Sequence, residues 1–531
     1  MKKFSVIIPC YKDAYKLARA IGSVSDQDYP AKETIVVLDS ADKSAERILA
    51  TFPHVRWSQT EKEGSGAPVA RNIGASLANG DYLLFMDADS VLYPGALREW
   101  SEAFDEHPDC GFVYCGHRFP GGHGYPSEEF DPYFLEINNY INTTNPMRRE
   151  VYPCWDESLK SFQDWDLFLT MVERGIKGWY LGKNTYLYET DLPNQGGISA
   201  DSHANWLERK RVIRQKHGLE SRKVCIASFA AERHARRVAK LVNADYCSPY
   251  ILSNKPHEYE AVHLLGFFPG NGKQNYLPFY DSNTNYFKKD LKCVIHWIGT
   301  DIMHMASKVT LNFIKQWRDL VNQRFIQFCQ TRENQRELAE LGFNAKVLPL
   351  PMGIEESVVA MPKEFTVAIY DHMQGPGDDI YCQPLMSDVI KAMPDIKFVY
   401  FGCEGHKGRD KNLEFLDIAP FADIMKKSSM LLRITRHDGF PAGPVEFLCH
   451  NRPVVTNVDM PYTRRVDFVG GVLTENNIPA IKQRIITAIR ATKNQMPKDQ
   501  FYENARAHYK RVLNPAILQK ALQAIVEGVK K

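Results

Sequence analysis

Asp81-Tyr-Leu-Leu-Phe-Met-Asp-Ala-Asp-Ser90 decides how the rest of the chain is read. Tyr82 to Met86 is an apolar run of strand length that ends at two carboxylates, Asp87 and Asp89, one small residue apart. In an open α/β sheet the carboxyl ends of strands line the ligand crevice. Two acids placed there suit a divalent cation that neutralises a diphosphate, or they bond the local backbone of an Asp-rich turn. The flanking sequence separates the two readings.

Upstream, Phe4 to Pro9 is a β-rich run, and helical spacing follows over Ala14 to Val24. Glu33 to Leu38 reads as a second buried strand ending at Asp39. The helix Ser44 to Thr51, a short strand at Val55 to Ser58 and the loop Glu63-Gly-Ser-Gly-Ala-Pro68 come next, ahead of a helix holding Ala70-Arg-Asn-Ile-Gly74. This βαβα alternation predicts a parallel sheet with the acidic strand ends Asp39 and Asp87 to Asp89 on one crevice. Arg118 to Pro126, which holds Gly121, Gly122, His123 and Gly124, reads as a flexible acceptor or lid loop.

The chain has 531 residues, too long for one ordinary core, and its length suggests about three domains. With 44% hydrophobic and 24% charged residues, it falls outside the disordered and fibrous classes. A net charge of +2 gives no global footprint for nucleic acid or anionic membrane. The 11 cysteines include no Cys-x-x-Cys pair and many sit in apolar runs, the pattern of reduced thiols in a cytoplasmic protein. Met1 to Cys10 reads as a first strand and not a signal sequence, and no window reaches membrane-spanning length.

The pieces Val6-Ile-Ile-Pro-Cys-Tyr11, Ser23-Val-Ser-Asp-Gln27, Ile35-Val-Val-Leu-Asp39, Ala70-Arg-Asn-Ile-Gly74 and Leu84-Phe-Met-Asp-Ala-Asp89 resemble, in order and spacing, the family 2 glycosyltransferases of GT-A fold. The resemblance implies a nucleotide-sugar donor, with Pro9 and Tyr11 in the donor-binding region and Asp39 on the nucleotide base. It places Arg71 near the base, Asp87 towards the ribose and Asp89 as a ligand of Mg²⁺ or Mn²⁺; hard carboxylate oxygens suit both ions. Leu38 stands where the family often has a second aspartate.

Phe162-Gln-Asp-Trp-Asp-Leu-Phe168 resembles the family's acceptor-side segment, which makes Asp164 the base of an inverting transfer to an acceptor hydroxyl. On spacing alone Asp164 reads equally as a helix cap, and Asp166 as a helix-face residue. Asp191 and His203 fall near the place of a further metal ligand, and each also reads as a solvated surface position.

Around Lys216 to Arg222 the pattern restarts, and two further strand-helix alternations follow, a Rossmann-like pair that resembles a GT-B glycosyltransferase. His296-Trp-Ile-Gly-Thr-Asp301, Cys329-Gln-Thr-Arg-Glu-Asn334 and Arg436-His-Asp-Gly-Phe-Pro-Ala-Gly-Pro-Val-Glu446 carry that resemblance. Asp438 and Glu446 match the spacing of the two acids in retaining GT-B enzymes. Glu446 would begin a helix and bond the donor ribose, or stand as a solvated helix position; Gly439 and Gly443 would let backbone N–H groups approach the diphosphate. The sequence departs from that pattern at three places: the first acid is Asp438, Ser228-Phe-Ala-Ala-Glu232 replaces a glycine-rich turn, and Asp371 to Asp378 lacks the expected Arg and Lys. Lys407, Arg409 and Lys411, or Arg433 and Arg436, are the cations left to offset phosphate charge.

The expected architecture is therefore α/β, with a GT-A domain over 1–217 and GT-B lobes over 222–360 and 361–531. The expected function is a bifunctional glycosyltransferase that passes sugars from nucleotide-sugar donors to a glycan or other hydroxyl-bearing acceptor. Two rival readings make the GT-B half a non-catalytic recognition module, or the acceptor a modified DNA base.

Overall fold

The structure, a computed structural model, describes residues 1–12, 14–122, 124–182, 185–191, 203–220, 222–228, 231–247, 259–266, 292–298, 301–302, 318–319, 321–323, 325–354, 359–370, 381–402, 410–416, 419–436, 440–468, 474 and 476–528. Asp438, Gly439, His123, Lys407, Arg409 and the segment 371–378 lie outside them, as does the side chain of His203. The chain divides into two compact units, one over Met1–Ser221 and one over Arg222–Asn254 with Glu258–Lys531.

The first unit is built on a seven-stranded sheet in which β1 (Phe4–Cys10), β2 (Lys32–Leu38), β3 (Arg56–Gln59) and β4 (Tyr82–Phe85) run parallel in the order β3-β2-β1-β4. All seven residues of β1 are buried, because helices cover both faces. On one face Val6 and Ile8 pack with α1 (Ala14–Ser25), α2 (Lys43–Ala50) and α4 (Ala96–Glu106). On the other, Ile7 and Ile35 pack with α3 (Ala67–Leu77) and α6 (Gln163–Glu173). Gly74 is what lets α3 lie against β1, since a Cβ there would stand 2.3 Å from Ile7 Cγ2.

Beyond β4 the sheet continues through β9 (Met147–Arg148), which is antiparallel to it, then β6 (Cys110–Tyr114) and β10 (Lys177–Tyr180). A smaller sheet in the order β5-β11-β7-β8 joins β5 (Ser90–Leu92), β11 (Tyr186–Thr190), β7 (Gly116–Arg118) and β8 (Gly124–Tyr125). Thr190 pairs with Ser90, which brings the end of β11 beside Asp89. The stretch expected as a loop over Arg118 to Pro126 is instead partly a hairpin, with Arg118 opposite Gly124 and His117 opposite Tyr125. Gly121 and Gly122 take up its turn with φ of +96° and +87°.

Asp166 is more than a helix-face residue. It is 3% exposed and bonded to His217 Nε2 at 2.9 Å and Lys216 Nζ at 2.6 Å, where α7 (His203–Lys216) ends against α6. Burial of a carboxylate is tolerated here because the Lys216 ammonium and the His217 ring satisfy it.

The second unit holds two six-stranded sheets, both wholly parallel. The first is ordered β13-β12-β14-β15-β16-β17, from β12 (Val224–Ala227), β13 (Asp245–Tyr246), β14 (Ala261–Leu265), β15 (Lys292–Trp297), β16 (Phe325–Cys329) and β17 (Lys346–Val347). The second joins β18 (Thr366–Tyr370), β19 (Lys397–Phe401), β20 (Leu413–Phe415), β21 (Met430–Arg433), β22 (Val454–Thr456) and β23 (Arg464–Arg465). Its order, β20-β19-β18-β21-β22-β23, is the 3-2-1-4-5-6 of dinucleotide-binding sheets, with the switch point between β18 and β21. None of the described cysteines forms a disulfide, and all but Cys154 are buried. Among the described residues no helix is long and apolar enough to cross a membrane.

Candidate active site

In the first unit the winding of the sheet reverses between the parallel neighbours β1 and β4, so the ends of β1, β2 and β4 open on one crevice. Parallel register sets Cys10 beside Leu38, and Ile7 beside both Ile35 and Phe85. Tyr11, Asp39 and the pair Asp87 and Asp89 therefore emerge at the same edge, while Pro9 is buried within β1 opposite Val37.

Asp39 is only 3% exposed, and its carboxylate accepts from Thr60 Oγ1 at 2.9 Å, Ser65 N at 2.9 Å and Gly66 N at 2.8 Å. Ser65 N and Gly66 N are the last backbone donors before α3, so Asp39 shapes the glycine-containing loop and offers negative charge to the helix start. Gly64 and Gly66 supply its left-handed turns, with φ of +73° and +102°. Tyr11 lies beside that loop, 45% exposed, with Lys12 next to it bridging to Glu63 at 3.2 Å.

Arg71 does not face Asp39. Projecting from α3, it is buried and donates through Nη2 to Asp87 Oδ1 at 2.7 Å and through Nη1 to Gln163 Oε1 at 3.0 Å. Its guanidinium lies 4.5 Å from the centre of the Trp155 ring. Asn72, next to it, holds the Trp155 backbone: its amide donates to Trp155 O at 3.0 Å and Glu157 at 2.9 Å, and its oxygen accepts from Trp155 N at 2.9 Å. The sequence reading gave Asn72, Trp155 and Gln163 no role. The signal was an asparagine and an arginine together in a helix interior, where the asparagine disfavours helix unless its side chain is used.

Gln163 opens α6 and Asp164 follows it, so Asp164 is not the helix cap; Phe162 is, with φ of 54°. Asp164 Oδ1 accepts from Trp165 N at 2.9 Å. Burial pushes the Asp164 carboxyl above the usual carboxylate range, and Asp87 adds to that, while Arg71 acts the other way.

Asp87 is half exposed and Asp89 less so. Burial, and then the charge of Asp87, push Asp89 up to about 6; Thr190 Oγ1 donates to it at 3.3 Å. Asp191 is nearby but occupied by cations, with Lys16 Nζ at 3.1 Å and Arg19 Nη2 at 2.9 Å. Its place as a further metal ligand is thereby taken, because both cations compete for the same oxygens. No group of three or more His, Cys, Asp or Glu side chains among the described residues is arranged to hold a metal. Asp89, and the oxygen of Asp87 that Arg71 leaves open, remain as hard-oxygen donors, a chemistry that fits Mg²⁺ or Mn²⁺ completed by oxygens of a bound donor.

In the second unit Arg433 ends β21 at the switch point, its guanidinium 5.1 Å from the Tyr370 ring and 5.3 Å from that of Tyr381. Glu446 does not begin its helix; it sits one turn inside Ala442–Cys449, which Pro441 opens. Its carboxylate accepts from Arg237 Nη1 at 3.2 Å, and Nη2 of the same arginine donates to Gly353 O at 2.8 Å. Gly443 lies in the first turn of that helix, 3.9 Å by its would-be Cβ from Leu431.

The profile of the family described as Glycosyl transferase family 2 matches residues 5–155. The poly(ribitol-phosphate) beta-N-acetylglucosaminyltransferase TarS of Staphylococcus aureus strain Mu50 is 30% identical over 218 residues, 38% of this chain and 38% of that protein. The matched region thus spans well under half of that relative. A Haemophilus influenzae protein described as an uncharacterized glycosyltransferase is 30% identical over 216 residues, 37% of this chain and 71% of that protein. Among solved structures, residues 1–349 of S. aureus TarS in complex with UDP align over 40% of this chain and 65% of that one, with a TM-score of 0.35 and 21% identity.

Proposed function

The chain belongs to glycosyl transferase family 2 through its first unit and is a glycosyltransferase, and on that premise we propose that the crevice of this unit transfers a sugar, with inversion, from a nucleotide-sugar donor to an acceptor hydroxyl. The observation that carries the reading is the continuous series Asp89, Asp87, Arg71, Gln163 and Asp164, in which one buried guanidinium joins the acidic strand end to the helix bearing the candidate base.

The nucleotide would lie against Tyr11 and the loop shaped by Asp39, with its diphosphate towards Asp87 and Asp89. Those two carboxylates would hold Mg²⁺ or Mn²⁺, which when bound stabilises negative charge on the departing diphosphate. Asp164, whose proton affinity burial raises, takes the hydroxyl proton as the acceptor oxygen attacks the anomeric carbon. The new C–O bond forms as the bond to phosphate breaks, and the nucleoside diphosphate leaves with the electron pair. Arg71 and Asn72 touch no reacting atom; they hold Asp87, Trp155 and α6 in place.

For the second unit we propose a GT-B-type pair of lobes, with a donor crevice at the switch point between β18 and β21. Arg433 supports this reading as a cation at the strand end, where a phosphate would otherwise lack one. The engagement of Glu446 by Arg237 favours a second reading, a recognition module in which that acid serves the unit's own packing.

Nucleotide release from a panel of nucleotide sugars with Mn²⁺ or Mg²⁺, in the parent, Asp89→Ala and Glu446→Ala, tests both halves. Loss of release from different donors in the two variants supports two transferase sites. Loss of all release in Asp89→Ala and none in Glu446→Ala assigns turnover to the first unit alone. Full release in Asp89→Ala contradicts the first-unit reading.

A further inference from the structure

Asp89 stands at the third position of a tight turn, Asp87-Ala-Asp-Ser90, which Ser90 N closes by donating to Asp87 O at 2.9 Å. One hydrogen bond closes the turn but does not fix its last peptide, and tilting that peptide would swing the Asp89 carboxylate. Two groups from other elements hold it. Thr190, opposite Ser90 in the β5–β11 pair, donates to the carboxylate at 3.3 Å. Arg19, from α1, donates through Nη2 to the Asp89 carbonyl oxygen at 3.1 Å, and the same nitrogen donates to Asp191 Oδ1 at 2.9 Å.

Asp191 is itself anchored. Lys16, one turn before Arg19 on α1, is only 8% exposed and holds the other oxygen of Asp191 at 3.1 Å. An ammonium so buried needs that carboxylate, which fixes Asp191 and turns its free oxygen towards Arg19. The Arg19 side chain is half exposed, so its ion pair adds little to stability. Two cations this close to Asp89 also repel a divalent ion. Their charge is a cost to such a site, and what they offer it is geometry.

We propose that Arg19 and Asp191 are positioning residues for the divalent ion: Asp191 sets Arg19, and Arg19 fixes the Asp89 peptide so that the carboxylate faces the crevice. Neither touches the ion. This rests on the first-unit transfer reading, which puts that ion on Asp87 and Asp89.

The test is an EPR titration of Mn²⁺ alone into the full chain, in the parent, Arg19→Gln and Arg19→Lys. Charge and position predict opposite signs. If Arg19 only adds positive charge, or only keeps Asp191 from ligating, its removal tightens Mn²⁺ binding. Positioning predicts that Arg19→Gln weakens binding about tenfold, the lower end for losing a group that orients a metal ligand. Arg19→Lys should restore it, because both acceptors are now served by one nitrogen and an ammonium has N–H groups for both. Arg19 is half exposed, so neither change threatens the fold. Equal or tighter binding in Arg19→Gln, or an Arg19→Lys no tighter than Arg19→Gln, overturns the proposal and leaves the transfer reading standing. A parent that binds no Mn²⁺ at millimolar concentration removes the ion from the transfer reading, and this proposal with it.

Discussion

Arg71 donates to Asp87 at 2.7 Å and, through its other terminal nitrogen, to Gln163 at 3.0 Å, so the donor-side acid and the helix of Asp164 are spaced by one planar cation. An ammonium cannot span both partners. Arg71→Lys should lower kcat/KM for nucleotide release about 100-fold, the scale of a small misplacement of reacting groups. Steady-state kinetics showing nearly full activity would remove the bridge from the account.

Asp89 sits in a like-charged, partly buried position, and a cation should relieve it. Asp89→Asn should therefore raise the Tm of the metal-free protein at pH 7, and abolish the further rise that Mn²⁺ gives the parent. Protons compete for the same oxygen, so Mn²⁺ affinity in the parent should fall as pH drops through about 6. Differential scanning fluorimetry across pH reads both effects; a Tm gain with Mn²⁺ in Asp89→Asn equal to that of the parent would contradict them.

Asp39 accepts three hydrogen bonds while buried, and Asn would present a donor to at least one N–H. Asp39→Asn should cost about 1–3 kcal/mol of stability, and should weaken nucleotide binding together with it. Urea denaturation and a nucleotide titration check the pairing of the two losses. Weakened binding at unchanged stability would instead mean that Asp39 contacts the base directly and does little for the loop.

The strands as far as β4 and their acidic ends were legible because short apolar runs punctuated by turn residues admit few readings, whereas their order in the sheet was not. What local sequence does not carry is which side chains meet. Arg71 lies 16 residues from Asp87 and 92 from Gln163, and Asp191 lies 172 from Arg19, so these pairings follow from sheet and helix placement alone. The hairpin Gly116 to Tyr125 hid behind its glycines, which argue for a loop until a partner strand is known. Asp166 reads only as a helix-face residue because its partners, Lys216 and His217, lie about 50 residues on, at the end of α7.

His217 makes that last contact a pH sensor of stability. Burial alone would lower its pKa, but bonds to Asp166 and Glu173 outweigh it and raise the value above 6.5. A raised folded pKa means that the pair's stabilisation is complete below about 6.5 and lost as pH rises through the folded value. His217→Gln should flatten that decline in urea-denaturation free energy; an identical pH profile in the variant would show that the contact does not contribute.

The central claim is a single displacement on the anomeric carbon between the Asp87 and Asp89 pair and Asp164. The most direct measurement is ¹H NMR of the sugar first released when an α-linked nucleotide sugar is turned over with Mn²⁺ and no acceptor. Water then takes the acceptor's place, and the account predicts that the β-anomer appears first and mutarotates afterwards. First appearance of the α-anomer would contradict inversion and, with it, the role given to Asp164.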